Sequence, residues 1–235
     1  MTTTLITGAN KGLGFGTARR LVAAGHTVYI GARNSSLGLA AAERLGARFV
    51  HLDVTDDLSV TSAAKAIEAG GGLDVLVNNA GIEPRLADGG FVPVTDVTAD
   101  SVRAVFETNV FGQVRMLHAF LPLLQRSSAP VVVNVGSGTS LMRELANPDS
   151  PSHFYPDIAY PSSKAAVNML TVQYAKAYPG IRINVVEPGF TATDLNHHAG
   201  TQTIAQGAEI IVRMAQIGPD GPTGGFFDAN GPIPW

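Results

Sequence analysis

Tyr160 and Lys164 stand four positions apart in the stretch DIAYPSSKAA, residues 157–166. On a helix that spacing puts both side chains on one face. A free phenol ionises near pH 10 and carries protons poorly near neutrality. A nearby ammonium favours phenolate and brings the group into a useful range. The pair can therefore move a proton, but an ordinary amphipathic surface helix presents the same two residues. Pro161 lacks an N–H and fits only the first helical turn, and it disfavours helical dihedrals at the residue before it. The helix must then begin close to Tyr160, with Asp157 available as its cap.

A second chemistry is written at the amino end. The run TTLIT (residues 3–7) passes into TGANKGLG, in which Gly8, Gly12 and Gly14 fall where a strand turns into a helix. Glycines there allow a tight turn and let backbone N–H groups approach a pyrophosphate, and the helix N-terminus adds partial positive charge. The same glycines would also suit a flexible loop; the strand before them and the helix after them favour phosphate. His197 and His198 are adjacent, but no paired carboxylate or cysteine accompanies them, so no metal site is expected.

The elements that must position these residues recur in a simple order. Short apolar runs lie at 3–7, 27–31, 48–52, 74–78, 131–135 and 182–186, with a shorter one near 224–228. They are continuous more than alternating, as strands buried on both faces are. Alanine-rich helical stretches separate them, among them LGFGTARRLVAAG, SVTSAAKAIEAG and the long SVRAVFETNVFGQVRMLHAFLPLLQ. Left-handed C-caps are expected at Gly25 and Gly70. The succession predicts an α/β fold, a doubly wound parallel sheet of about seven strands with helices on both faces, as a single domain over residues 1–235. Ligands in such sheets sit beyond the carboxyl ends of the strands, where most of the candidate residues fall.

Bulk properties agree. Of 235 residues, 45% are hydrophobic and 15% charged, the balance of a globular chain. A formal charge of −3 with no basic stripe argues against nucleic acid as a partner. With no cysteine there is no disulfide and no thiolate chemistry. MTTTLITGAN lacks the basic and apolar regions of a signal peptide, and no apolar run is long enough to span a bilayer, so a cytoplasmic protein is expected.

The glycine spacing is T-G-x-x-x-G-x-G, and with it the chain resembles the short-chain dehydrogenase/reductase family, in its carbonyl-reductase-like branch. The resemblance runs from Thr7 to about Asp194, and its motifs come in the family order. It implies a Rossmann domain that binds a nicotinamide cofactor, with Gly8, Asn10, Lys11, Gly12, Leu13 and Gly14 around the diphosphate. HLDVTD supplies Asp53 and Val54 beside the adenine; NNAG supplies Asn79, Ala80 and Gly81 along the cofactor. VEPGFTATDL supplies Pro188, Gly189, Thr191 and Thr193 facing the carboxamide. The family places an acid that selects NAD at the end of the second strand. Here Ala32 occupies that place and Arg33 follows, so with Lys11 the chain is expected to prefer NADPH over NADH. The family mechanism makes Tyr160 the general acid in reduction and the base in oxidation. Lys164 lowers the tyrosine pKa and holds the ribose hydroxyls, and Ser137, in GSGTS after VVVNV, donates to the substrate oxygen, with Thr139 and Ser140 as second choices. Asn109, in ETNVFG, holds a water in a proton relay.

The segment between Ser137 and Tyr160 departs from the shortest members. GTSLMRELANPDSPSHFYPDIA reads as a surface insertion over about 138–157. It is expected to wall a substrate pocket together with residues 83–94 and a substrate loop at about 190–206, and it lies where it can obstruct a helix face used for dimerisation. The expected activity is NADPH-dependent reduction of a ketone or aldehyde to an alcohol, with a small-molecule carbonyl or alcohol as partner and no membrane. The competing readings are a non-catalytic NADPH-binding sensor and a same-fold epimerase or lyase. The residues do not name the physiological substrate, the stereochemistry or the direction, and they do not decide between monomer and homo-oligomer.

Overall fold

The apolar runs become the strands of one sheet. In the computed structural model, which describes residues Met1–Trp235, β1 (Thr3–Thr7), β2 (Thr27–Ala32), β3 (Arg48–His51), β4 (Val75–Asn78), β5 (Val131–Val135), β6 (Arg182–Val186), β7 (Phe226–Asp228) and β8 (Gly231–Ile233) form an eight-stranded sheet in the order 3-2-1-4-5-6-7-8. All pairings are parallel except β7 with β8. The extra strand is a hairpin return. The Asp228 carboxylate accepts the main-chain N–H groups of Asn230 and Gly231 at 2.7 and 2.9 Å and turns the chain back on itself. Pro232 is tolerated because β8 is an edge.

Both faces of the sheet are covered, which is why the strands read as unbroken apolar runs. On one face Leu5, Leu76, Val132 and Ile183 meet α3 (Asp57–Ala69), α5 (Gly112–Leu124) and α7 (Ala159–Ala177). On the other, Ile6, Val77, Val133 and Val186 meet α1 (Gly12–Ala23), α2 (Ser35–Leu45) and α8 (Ile204–Ala215). Each large side chain so buried contributes roughly 1.5–3 kcal/mol to holding a helix on the sheet. The chain winds outward from β1 to β3, then returns to the opposite side of β1 as β4. The switch opens a crevice between the carboxyl ends of β1 and β4.

Two local expectations change, and the insertion gains structure of its own. The long helical stretch is divided into α4 (Ala99–Phe106), a π-helical turn (Glu107–Phe111) and α5. Asn109 sits in the π turn, a local widening that recurs at functional sites. Gly70 ends α3 with φ −82°, and the left-handed residues are Gly71 and Gly72 instead, whereas Gly25 is left-handed as expected. The insertion carries its own short α6 (Met142–Ala146) between two 3-10 turns. It is tied down where Ser150 Oγ donates to Glu144 Oε2 at 2.9 Å and Arg143 Nη1 donates to the Pro234 carbonyl at 2.7 Å.

Candidate active site

The glycine loop is built by contact as much as by sequence. Gly8 is left-handed, with φ 64°. A methyl group on Gly14 would stand 2.6 Å from Asn79 Nδ2 and 2.9 Å from both Ala9 Cα and the Gly8 carbonyl oxygen. The loop is thus pressed against the NNAG segment. Thr7 joins the two: its Oγ1 accepts the N–H groups of Asn79 and Ala80 at 2.9 and 2.8 Å, while Asn79 Nδ2 donates to the Thr7 carbonyl at 2.8 Å. The result is a close-walled cradle at the switch point that suits a diphosphate.

Asp53 and Arg33 lie at neighbouring strand ends. Asp53 Oδ1 accepts the N–H and hydroxyl of Thr55 at 2.9 and 2.7 Å. Burial works to raise its pKa, but those bonds and the nearby Arg33 hold it below the usual value. Asp56, not Asp53, caps α3. Val54 packs into the core against Gly112. Lys11 is not a free cation: its Nζ lies 2.7 Å from Asp194 Oδ2, and His198 Nε2 lies 2.9 Å from Asp194 Oδ1. This chain of contacts draws the loop after β6 over the glycine loop, with Thr193 against Gly12. Thr191 is buried and its hydroxyl faces the carbonyls of Pro188 and Gly189, 3.2 and 3.3 Å away. Asn10 and Leu13 follow the loop into α1, where Leu13 packs beside Gly207.

The other end of the crevice holds the proton-transfer candidates. Helix α7 begins at Ala159, so Tyr160 is in its first turn, and Asp157 accepts the N–H groups of Ala159 and Tyr160 at 3.0 and 3.3 Å. A buried polar ladder fixes the helix on the sheet. Asn78 Nδ2 donates to Asn134 Oδ1 at 2.9 Å, and Asn134 Nδ2 donates to Thr171 Oγ1 at 2.8 Å. Lys164, 3% exposed, donates from Nζ to the last carbonyl of β5, Val135, at 2.7 Å. Its ammonium lies 5.5 Å from the centre of the Tyr160 ring.

Asn109 is fully buried. Its Oδ1 accepts the Ile82 N–H at 2.8 Å, and its Nδ2 donates to the Ile82 carbonyl at 2.9 Å and to Ser163 Oγ at 3.0 Å. The π turn therefore clamps the segment after NNAG and lays Gly81 beside Lys164: a Cβ on Gly81 would stand 3.7 Å from Nζ. Of the hydroxyls after β5, Ser140 donates to the Ser137 carbonyl and accepts from Asn168, at 2.6 and 2.8 Å. Ser137 Oγ lies 2.9 Å from Thr139 Oγ1.

The electrostatics reverse one expectation. Burial pushes the Tyr160 phenol above its ordinary value, the Glu83 carboxylate adds to the rise, and the Ser137 hydroxyl opposes it. Burial lowers the Lys164 pKa to about 8, against an upward pull from Glu83. Glu83 and Arg85 were read from the sequence only as members of the 83–94 loop, and Glu187 was not singled out; burial raises its pKa although the main-chain N–H groups of Gly189 and Gly138 oppose the rise. Charged residues in loops read as solvated; only the folded contacts show that these are enclosed.

The loops around the mouth touch one another. Phe91 and the insertion's Tyr155 pack edge to face, with ring centres 5.0 Å apart. A Cβ on Gly89 would stand 3.3 Å from the His197 ring. Residues 83–94 thus touch both the insertion and the 190–206 loop. Leu86, Phe154, Phe190 and Leu195 leave apolar surface exposed along these loops.

The short chain dehydrogenase family model matches residues 2–203. The chain belongs to the short-chain dehydrogenase/reductase family. It is similar to (+)-neomenthol dehydrogenase of Capsicum annuum, at 31% identity over 95% of this chain and 94% of the relative. That alignment spans 298 positions, so the relative carries residues that this 235-residue chain lacks. Among solved structures it is similar to salutaridine reductase from Papaver somniferum, with a TM-score of 0.82 and 27% identity over 97% of this chain and all of that one. It is also similar to NADPH-bound carbonyl reductase from chicken fatty liver, with a TM-score of 0.83 and 25% identity over 100% and 99% of the two chains. As a short-chain dehydrogenase/reductase the chain is an oxidoreductase. No helix in it is long and apolar enough to cross a membrane.

Proposed function

We propose that this protein is an NADPH-dependent oxidoreductase that reduces a ketone or aldehyde to the corresponding alcohol, with Tyr160 as the proton donor. The observation that carries the reading is the convergence of Tyr160, Lys164, Ser137 and Asn109 on the end of the crevice opposite the phosphate cradle, with the phenol buried and the Lys164 ammonium 5.5 Å from its ring centre. The cradle at Gly8, Gly12 and Gly14, closed by Asn79 and Ala80, fits a dinucleotide. Asp53 and Val54 flank its adenosine end, Gly81, Pro188, Gly189, Thr191 and Thr193 its nicotinamide end. Arg33, at the end of β2 and without an acidic residue in its own strand end, supports a 2′-phosphate and so NADPH. The relatives' printed activities, reductases and a dehydrogenase of small molecules, point the same way.

When bound, the reduced nicotinamide supplies the hydride. The residues of this chain supply the rest. Ser137 donates a hydrogen bond to the substrate oxygen, a fixed dipole aimed where negative charge grows. Tyr160 gives that oxygen its proton, a task for which a neutral phenol is the required form. Lys164, anchored on Val135, stands beside the phenol to take part in proton return and to hold the ribose. Asn109 fixes the 81–83 wall of the site through Ile82. The apolar rim and the aromatic wall of Phe91 and Tyr155 suit a largely apolar carbonyl compound.

A panel of ketones, aldehydes and alcohols run with NADPH and with NADH tests the reading. NADPH consumption with a matching amount of alcohol is expected, at a kcat/KM well above that with NADH. Equal efficiency with NADH overturns the assignment of Arg33. Tight NADPH binding with no turnover favours a sensor, and product without net NADPH consumption favours an epimerase or lyase.

A further inference from the structure

Helices α4 and α5 run on through the π turn Glu107–Phe111. In that turn the Gly112 N–H donates to the Glu107 carbonyl, one residue further than an α-helical bond reaches. Arg115 follows Glu107 by eight positions. On a regular α-helix two such positions point about 80° apart around the axis. The extra residue in the turn makes them equivalent to positions one step closer, about 20° apart and two turns along. The side chains do meet: Arg115 Nη2 lies 2.6 Å from Glu107 Oε1. Arg115 Nε also donates to Asp57 Oδ1 at 2.8 Å, at the first residue of α3. The guanidinium side chain is 23% exposed, so these pairs are screened less than those of a free surface arginine.

The turn is held at two further points. Asn109, in its middle, grips both main-chain groups of Ile82, and a Cβ on Gly112 would stand 3.0 Å from Val54 Cγ2. A return to α-helical register would rotate one flank of the turn against the other by about 100°. Asn109 would then lose Ile82, or Arg115 would lose Glu107. The two contacts depend on one register.

We infer that Arg115 is a positioning residue for the proposed reaction: its pair with Glu107 holds the π register that aims Asn109 at Ile82, and so sets the wall that lays Gly81 beside Lys164. It acts through Asn109 and not on the reacting groups. The inference rests on the reductase reading and deepens it.

The test is Arg115→Met and Glu107→Gln, each read in two ways. Amide hydrogen exchange followed by 15N NMR reports the register at Gly112, donor of the π bond, and at Ile82, donor to Asn109. Exchange at both amides is expected to quicken about tenfold in both variants, as the loss of one charge-assisted hydrogen bond allows, while Phe120 within α5 keeps its rate. Steady-state reduction should show kcat lowered by a similar factor, with KM for NADPH little changed. Glu107→Gln removes the charge and keeps the shape, so it serves if Arg115→Met fails to fold. Arg126→Met is the control: it breaks a 2.7 Å pair with Glu68 on α3 without touching the turn, and both readouts should stay at wild-type values. Wild-type exchange at Gly112 and Ile82 in both variants overturns the inference, as does unchanged kcat where that exchange has quickened. Equal quickening along all of α4 and α5, or the same effects in the control, marks a purely structural role and overturns it too. Absence of reductase activity in the wild type defeats the reaction assigned above without altering the exchange pattern, so the two failures are separable.

Discussion

Lys164 shows how one residue carries opposing demands. Its ammonium is held by a strand-end carbonyl in a site that excludes water, and burial lowers its pKa to about 8. In the unfolded chain the same group keeps its ordinary value, 10.5. Between these values the unfolded chain binds more protons than the folded one, so stability rises with pH across that window. Below it both states are charged and the burial cost is paid in full. Lys164→Met should therefore be inactive yet more stable than wild type near pH 7, by about 1–2 kcal/mol, and its advantage should shrink as pH climbs from 8 toward 10.5. Denaturant unfolding at a series of pH values measures this. A variant less stable than wild type at pH 7, with an unchanged pH slope, would show that the lysine stabilises the fold.

At the scale of elements, the site depends on contacts between strand ends. The β1–α1 turn has room for no side chain at Gly14, because two of the three atoms closest to an added methyl group are main chain and cannot swing away. Gly14→Ala should cost about 1–3 kcal/mol of stability and sharply weaken NADPH binding, read by thermal unfolding and by fluorescence titration. Gly180→Ala, where an added methyl group meets nothing within 4 Å, is the control and should bind NADPH normally. Unaltered binding in Gly14→Ala would place the cofactor elsewhere. This loop was legible in the sequence because it is a local pattern, three glycines between a strand and a helix. So were the buried strands and the start of α7, which Pro161 and Asp157 announce. The π turn at Asn109 was not legible, since it differs from the flanking helix by a shift in hydrogen-bond register and not by residue type. Nor was the second hairpin strand, three residues long, nor the Lys11–Asp194 contact, whose partners meet only when the chain closes across the whole sheet.

Across the whole molecule, the winding of the sheet brings these parts together. The reversal between β1 and β4 sets the phosphate cradle at one end of the crevice, and β5 with α7 sets the phenol and ammonium at the other. Three loops from distant parts of the chain close the mouth, joined through Phe91, Tyr155, Gly89 and His197. They meet through side chains at their tips, whereas the cradle and the polar ladder beneath α7 are fixed by close packing and buried hydrogen bonds. The enclosure of Glu83 and Glu187 was unreadable from sequence, because their burial is a property of the assembled loops. The most direct test of the account is a paired measurement on wild type and Tyr160→Phe, with NADPH binding followed by fluorescence and alcohol formation followed in the same samples. The account predicts equal NADPH affinity and a turnover in Tyr160→Phe about 10²–10⁴-fold below wild type; wild-type turnover in the variant would contradict it.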